Sequence, residues 1–355
     1  MDLPALDTPF TVIDRDQLVT NLAAHQARTL EQGIASRPHA KTHKIPELAH
    51  LQLAHGAVGI TLATIGEAEV FVDAGITDIF LAYPLWLTPH KAERLAALAT
   101  KAHITMGVDS VAGIEQAAST LGSTTIGFLI EVDSGHHRSG CDPHAVEPLA
   151  ATLAHHNLRF DGVFTYPGHS YHPDIKDTAS MDEVEALARA ADVLESAGYT
   201  VSRRSGGSTP SLHTTQGSLT ETRAGVYALG DAQQVELNTM NLKDVALSIV
   251  TTVVSSRENT AVVDAGSKVM GADRASWATG HGRVLGHPDA RIVAMSEHHA
   301  TIVFPDSGPK WEPGDILRVI PNHVCNAVNL VDRITVVSAD QAPQEWAVAA
   351  RGKNS

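Results

Sequence analysis

The chain has 355 residues, 43% of them hydrophobic and 19% charged, the composition of a soluble globular protein with a sizeable core. A formal net charge of −14 argues against a broad nucleic-acid or anionic-membrane surface, although a local basic pocket could still hold a phosphate. No apolar run is of membrane-spanning length, and Met1-Asp-Leu-Pro-Ala-Leu-Asp7 lacks the pattern of a secretory signal, so no membrane association and a cytoplasmic location are expected.

From about residue 12 to 235 strand-like runs alternate with helical patterns, the signature of βα units around a parallel sheet. Strands are predicted near 36–40, 57–62, 78–82, 103–108, 125–132, 159–165, 201–205 and 223–229. Eight such units predict an α/β fold with a (β/α)₈ TIM-type barrel over residues 12–237. Between Ser180 and Gly198, Val184, Leu187, Ala188, Ala191 and Leu194 share one helical face, with Ser180 and Glu183 as a capping box and Gly198 as a stop. Shorter β-rich runs follow at 246–254, 260–264, 291–294, 301–304 and 316–320, and predict a C-terminal β-rich domain over 238–355. Residues 1–11 are assigned to that domain, with Thr11-Val-Ile13 expected to pair with one of its strands.

Catalytic groups of such barrels collect where strands end, so the segments after the predicted strands carry the chemistry. Arg37-Pro-His-Ala-Lys41-Thr-His-Lys44 places a lysine among cations that lower its pKa and make the amine nucleophilic towards an aldehyde, although a basic surface loop would look the same. Glu131-Val-Asp133-Ser-Gly-His-His-Arg138-Ser-Gly140 offers an arginine that could equally be a solvated turn residue. Tyr166-Pro-Gly-His169-Ser-Tyr171-His172 offers stacking and proton-transfer groups, with His169 the best candidate base. Ser205-Gly206-Gly207-Ser208-Thr209-Pro210 and Arg223-Ala-Gly225-Val-Tyr227 have the glycines and hydroxyls of a phosphate cradle, which ordinary turns share.

Two cysteines, Cys141 and Cys325, cannot build a disulfide framework. In Pro321-Asn-His323-Val-Cys325, a strand would point His323 and Cys325 to one face, and imidazole with thiolate suits Zn²⁺. A buried histidine and cysteine in a β core is the plainer reading.

Together these motifs resemble those of the D-threonine aldolase and D-serine dehydratase family, pyridoxal-phosphate enzymes with an alanine-racemase-type barrel. The resemblance implies that Lys41 carries the cofactor and that Arg138 sits beside its phenolic oxygen. It places Tyr166 and His169 in the active site and Gly206, Gly207, Ser208, Thr209, Gly225 and Tyr227 around cofactor and phosphate. His323 and Cys325 would hold a divalent metal, Zn²⁺ or Mn²⁺. Ser296-Glu297-His298 and Val263-Asp264-Ala265-Gly266 resemble further site-lining segments. A homodimer and a small D-amino-acid substrate follow by the same analogy.

The implied reaction is cleavage of the Cα–Cβ bond of a D-3-hydroxy-amino acid to glycine and an aldehyde. The alternative is a D-serine-type dehydratase in which Lys41 removes the Cα proton, giving a 2-oxo acid and ammonia. His323-x-Cys325 resembles the dehydratase pair, because the aldolase aspartate is absent, whereas Asn326-Ala-Val-Asn329-Leu330 resembles the aldolase branch, and the aldolase is favoured narrowly. An amino-acid racemase would need two opposed acid/base groups and no metal. A non-catalytic pyridoxal-phosphate carrier would lack the β domain.

Overall fold

Runs such as Ile79-Phe-Leu-Ala82 and Phe128-Leu-Ile130 are apolar on both sides of the chain, as strands covered on both faces must be. The computed structural model describes residues 6–213, 217 and 219–355. Two compact units divide the chain: a barrel unit of Gln26–Lys41, Leu48–Gly225 and Gly352–Ser355, and a β-rich unit of Met1–His25, Thr42–Glu47 and Val226–Arg351.

Strand β1 (Phe10–Asp14) lies in the β-rich unit. The next eight are β2 (Ala35–Ser36), β3 (Ile60–Leu62), β4 (Asp78–Pro84), β5 (His103–Val108), β6 (Gly127–Glu131), β7 (Arg159–Phe164), β8 (Arg203–Gly206) and β9 (Glu221–Thr222). They form one eight-stranded parallel sheet in the order β2-β9-β8-β7-β6-β5-β4-β3. Its two ends are joined by a parallel bridge between His39 and Thr61 and by the bonds Val58 N–H to Ser36 O (2.9 Å) and Thr61 N–H to Pro38 O (2.8 Å), which closes the barrel.

Two local expectations are corrected. The eighth strand is Glu221–Thr222 and not 223–229, where Val226–Ala228 forms a 3₁₀ turn. A short apolar run that is buried throughout has no period to separate turn from strand. The helix predicted from Ser180 begins at Lys176, so Ser180 and Glu183 are interior residues and not a cap. Both are buried on the face shared with Leu187 and Leu194, and their polar atoms serve a neighbouring loop.

The β-rich unit holds a nine-stranded mixed sheet. Its further strands are β10 (Leu247–Arg257), β11 (Thr260–Val263), β12 (Gly282–Val284), β13 (Arg291–Met295), β14 (Ala300–Val303), β15 (Ile316–Pro321), β16 (Arg333–Val337) and β17 (Gln344–Ala347). β1 pairs antiparallel with β10 and parallel with β16. Ile249, Val253, Ile292, Ile302, Phe304 and Val319 form the core of this unit.

Charge runs through the barrel interior. Glu221 is buried and takes Arg37 Nε at 2.9 Å and Arg203 at 2.7 Å, while Arg37 also reaches Asp78 at 2.6 Å. The guanidinium carbons of Arg203 and Arg223 lie 5.2 and 5.6 Å from the Phe80 ring, and Arg223 also lies 5.3 Å from Phe164. These contacts build a column of Glu221, Arg203, the two phenylalanines and Arg223.

Burial alone would raise the Glu221 carboxyl, but the charges of Arg37 and Arg203 and their hydrogen bonds hold it at about 2. Its folded value is below the unfolded one, so its contribution is present above about pH 4.3 and fades as the pH falls towards 2. Glu221→Gln strands two arginines and is expected to cost about 3–5 kcal/mol at neutral pH. Denaturant unfolding from pH 7 to 3 should show that loss and a flatter acid limb in Glu221→Gln; an unchanged acid limb would show that this carboxylate does not carry the acid sensitivity.

Candidate active site

Lys41 occupies the short 3₁₀ turn Ala40–Thr42 that follows β2. Its Nζ lies 5.7 Å from the centre of the Tyr166 ring, and the guanidinium carbon of Arg138 lies 4.6 Å from the same centre. His136 meets Tyr166 edge to face at 5.3 Å and lies parallel to His169 at 6.5 Å. His169 Nε2 is 3.3 Å from Asp182 Oδ2, and its buried Nδ1 has no partner among the described residues. A carboxylate on one ring nitrogen leaves the other as a proton acceptor.

His39 is held well below the usual histidine range, first by burial and then by the charges of Lys41, Arg223 and Arg138. Three cations therefore act on one neutral imidazole at the ends of the strands. Glu131 at the end of β6 is pushed up from the ordinary carboxylate range by burial, opposed by a Ser139 hydrogen bond and the charges of Arg138 and Arg223.

The loop after β8 is buried at Gly206, Gly207, Ser208 and Thr209, as is Gly225. Ser208 Oγ lies 2.8 Å from Ser170 Oγ, and Ser208 N–H donates to Ser211 Oγ at 2.9 Å. Gly207 has φ +83°, and a Cβ there would strike Thr222 Oγ1, so both backbone and space require glycine. Ser205 Oγ and Thr222 Oγ1 are buried without partners among the described residues. Converging cations, a glycine loop and unpartnered hydroxyls fit an anionic, phosphate-bearing cofactor. Tyr227 belongs to the β-rich unit, where its ring stacks on His25 at 3.9 Å.

His323 and Cys325 do not lie on a strand. β15 ends at Pro321, and His323 precedes the short helix Val324–Val328, which contains Cys325. The Asp231 carboxylate accepts from Val324 N–H at 3.1 Å and Gln234 N–H at 2.9 Å, which turns the chain there and removes the basis for the same-face argument. The two side chains meet nonetheless: the Cys325 charge and a hydrogen bond to it hold His323 up at about 10 against the effect of burial. Asp273 Oδ2 lies 3.6 Å from His323 Nδ1, and Thr42 Oγ1 lies 3.4 Å from Cys325 Sγ. Imidazole and thiolate in contact are a donor pair that fits Zn²⁺ once the shared proton leaves. Among the described residues no three His, Cys, Asp or Glu side chains gather to hold an ion.

The weaker site-lining candidates have other partners. Asp264 is bound by Thr8, Thr251 and Thr252, and Glu297 pairs with Lys268 at 3.0 Å. Sequence reading missed His136, Asp182, Glu183 and Asp231. Glu183 left a signal, a glutamate on the apolar stripe of its helix, and Asp231 precedes Ala-Gln-Gln as an N-cap would. Asp182 and His136 left none, since their partners are set by the tertiary fold.

Residues 13–233 match the family model of the alanine racemase N-terminal domain, and residues 246–337 that of a putative serine dehydratase domain. The chain is 32% identical to the D-threo-3-hydroxyaspartate dehydratase of Delftia sp. over 97% of both chains, and 31% identical to the D-threonine aldolase of Arthrobacter sp., covering 99% of this chain and 94% of that one. The solved D-threonine aldolase of Filomicrobium marinum superposes with a TM-score of 0.88 at 30% identity, covering 98% of this chain and 96% of that one. A metal-free form of the D-threo-3-hydroxyaspartate dehydratase, with alanine in place of a cysteine, superposes with a TM-score of 0.87 at 32% identity over 97% of both chains. The chain therefore belongs to the family of D-threonine aldolases and D-3-hydroxyaspartate dehydratases, pyridoxal-phosphate-dependent lyases on an alanine-racemase-type barrel.

Proposed function

We propose that this lyase cleaves D-3-hydroxy-amino acids of the D-threonine type by a retro-aldol reaction, releasing glycine and an aldehyde. The observation that carries this reading is His169, oriented by Asp182 with an unpartnered Nδ1, next to the His136 and Tyr166 rings. Lys41 anchors the cofactor, and Arg138 and Tyr166 flank it. Gly206, Gly207, Ser208, Thr209, Gly225 and Tyr227 hold it through its phosphate. When bound, pyridoxal phosphate accepts the electron pair released at Cα. His169 Nδ1 takes the proton of the substrate's 3-hydroxyl, which allows the Cα–Cβ bond to break. His323 and Cys325 are the residues that would hold Zn²⁺ or Mn²⁺, which would supply positive charge to the 3-oxygen.

A specific observation favours the second reading, a dehydratase. The pair here ends in a cysteine, and the full-length similarity to the Delftia dehydratase is as high as that to the aldolases. In that case Lys41 removes the Cα proton and the hydroxyl departs, giving a 2-oxo acid and ammonia. This reading takes residues 12–237 as the cofactor domain and residues 238–355, with 1–11, as the metal-bearing one, in a cytoplasmic homodimer. No helix among the described residues is long and apolar enough to cross a membrane.

D-Threonine incubated with the protein, pyridoxal phosphate and Zn²⁺ or Mn²⁺ in parallel is expected to yield acetaldehyde and glycine. Lys41→Ala should abolish the reaction, and His169→Asn should lower kcat by roughly 10²–10⁴-fold. 2-Oxobutanoate and ammonia would assign the dehydratase instead; neither product with either metal would overturn both readings. Chelation is expected to remove activity and added metal to restore it, with Cys325→Ala needing more metal for half-maximal rate. Full activity in chelator would exclude the metal role.

A further inference from the structure

Glu183 is a fully buried acid that no step above uses. It projects from the helix Lys176–Ser196 against the loop after β8, where one oxygen accepts from Gly207 N–H. Ser211 hydrogen-bonds to the same carboxylate, and Ser180, three residues earlier on the helix, donates to Ser211 O at 3.1 Å. A Cβ on Gly206 would collide with Glu183 Oε1, so the acid and the glycine are fitted to each other. The second oxygen, Oε2, is buried without a partner among the described residues. A buried carboxylate with an empty oxygen, set against a loop otherwise suited to a phosphate, is electrostatically anomalous.

We infer that Glu183 is a proton-coupled positioning residue, which holds the Gly206–Thr209 loop through Gly207 and takes up a proton when the cofactor's phosphate binds. This rests on the reading that the loop holds that phosphate. An incoming dianion raises the cost of a second negative charge in the same buried volume, and the unpartnered Oε2 is where the proton goes. Burial already lifts the acid to about 7, opposed by the Gly207 hydrogen bond, Arg223 and Ser211. Arg223 is the charged group acting directly on Glu183, and it is shared with Glu221 and Glu131 and repelled by Arg203. Arg223 is divided among these three acids, so Glu183 does not hold it alone. Because its value rises further on binding, cofactor affinity should fall as the pH rises above about 7.

The test is calorimetric binding of pyridoxal phosphate to the full-length apoprotein near pH 8, in buffers of different ionisation enthalpy, for wild type and Glu183→Gln. Cofactor protonation and capture by Lys41 are common to both proteins, so the difference in proton uptake isolates Glu183. Wild type should take up more protons than Glu183→Gln, by about half a proton or more, and its affinity should fall more steeply with pH, by up to about tenfold per unit. Equal uptake by the two proteins overturns the inference. If Glu183→Gln does not fold, wild type alone decides: uptake with pyridoxal phosphate should exceed that with pyridoxal, and equal uptake again overturns it. Ser208→Ala and Thr209→Ala separate the two levels. If neither weakens pyridoxal phosphate relative to pyridoxal, the phosphate reading fails and the inference with it; if they do while proton uptake is unchanged between wild type and Glu183→Gln, only the inference fails.

Discussion

The barrel is organised around one carboxylate. Glu221 on the last strand neutralises Arg37, just beyond the first strand, and Arg203 on the seventh, and so ties together the segments that must meet for the ring to close. Removing those charges from water is costly, and the protein recovers the cost only where each guanidinium has a carboxylate or an aromatic face. Arg37 reaches Asp78 as well, and Arg203 rests on Phe80. Arg223 also rests on Phe80 and Phe164, so the packing inside the barrel positions this third guanidinium as well.

At the ends of the barrel strands three cations gather around one imidazole. Lys41, Arg138 and Arg223 all act on His39, while the buried Glu221 is committed to Arg37 and Arg203. A site assembled this way is poised for an anion with several attachment points. In the β-rich unit the charge of Cys325 and a hydrogen bond to it, with Asp231 and Asp273 behind them, favour the charged form of His323 against the effect of burial.

Much of this was legible in the sequence, for physical reasons that differ from case to case. Strand and helix alternation is a local periodic signal, and it located seven barrel strands; the eighth is two residues long and lies beside a more conspicuous apolar turn. Lys41 is readable as a candidate from the cations around it, and Arg138, Tyr166 and His169 because each sits in a segment with Gly, Pro or Ser that follows a strand. His323 and Cys325 were singled out on a strand geometry they do not have, since the Asp231 cap that bends the chain comes from a segment about ninety residues earlier. Ser180-x-x-Glu183 has the pattern of a helix start, and only the helix beginning at Lys176 and the burial of both side chains show it to be interior. Asp182 could not be read at all, as its role depends on which loop the helix faces.

β1 has a consequence for biosynthesis. Val12 and Ile13 are wholly buried, yet the strands on either side of β1, Leu247–Arg257 and Arg333–Val337, are translated only after the entire barrel. The barrel's eight strands can pair as they emerge from the ribosome, while β1 must wait, apolar, with both edges open until Leu247–Arg257 is made and with one edge open until Arg333–Val337 follows. During that interval the segment is open to chaperones and to pairing with a neighbouring nascent chain, so the β-rich sheet is the part of this protein whose assembly is most exposed to crowding on a polysome.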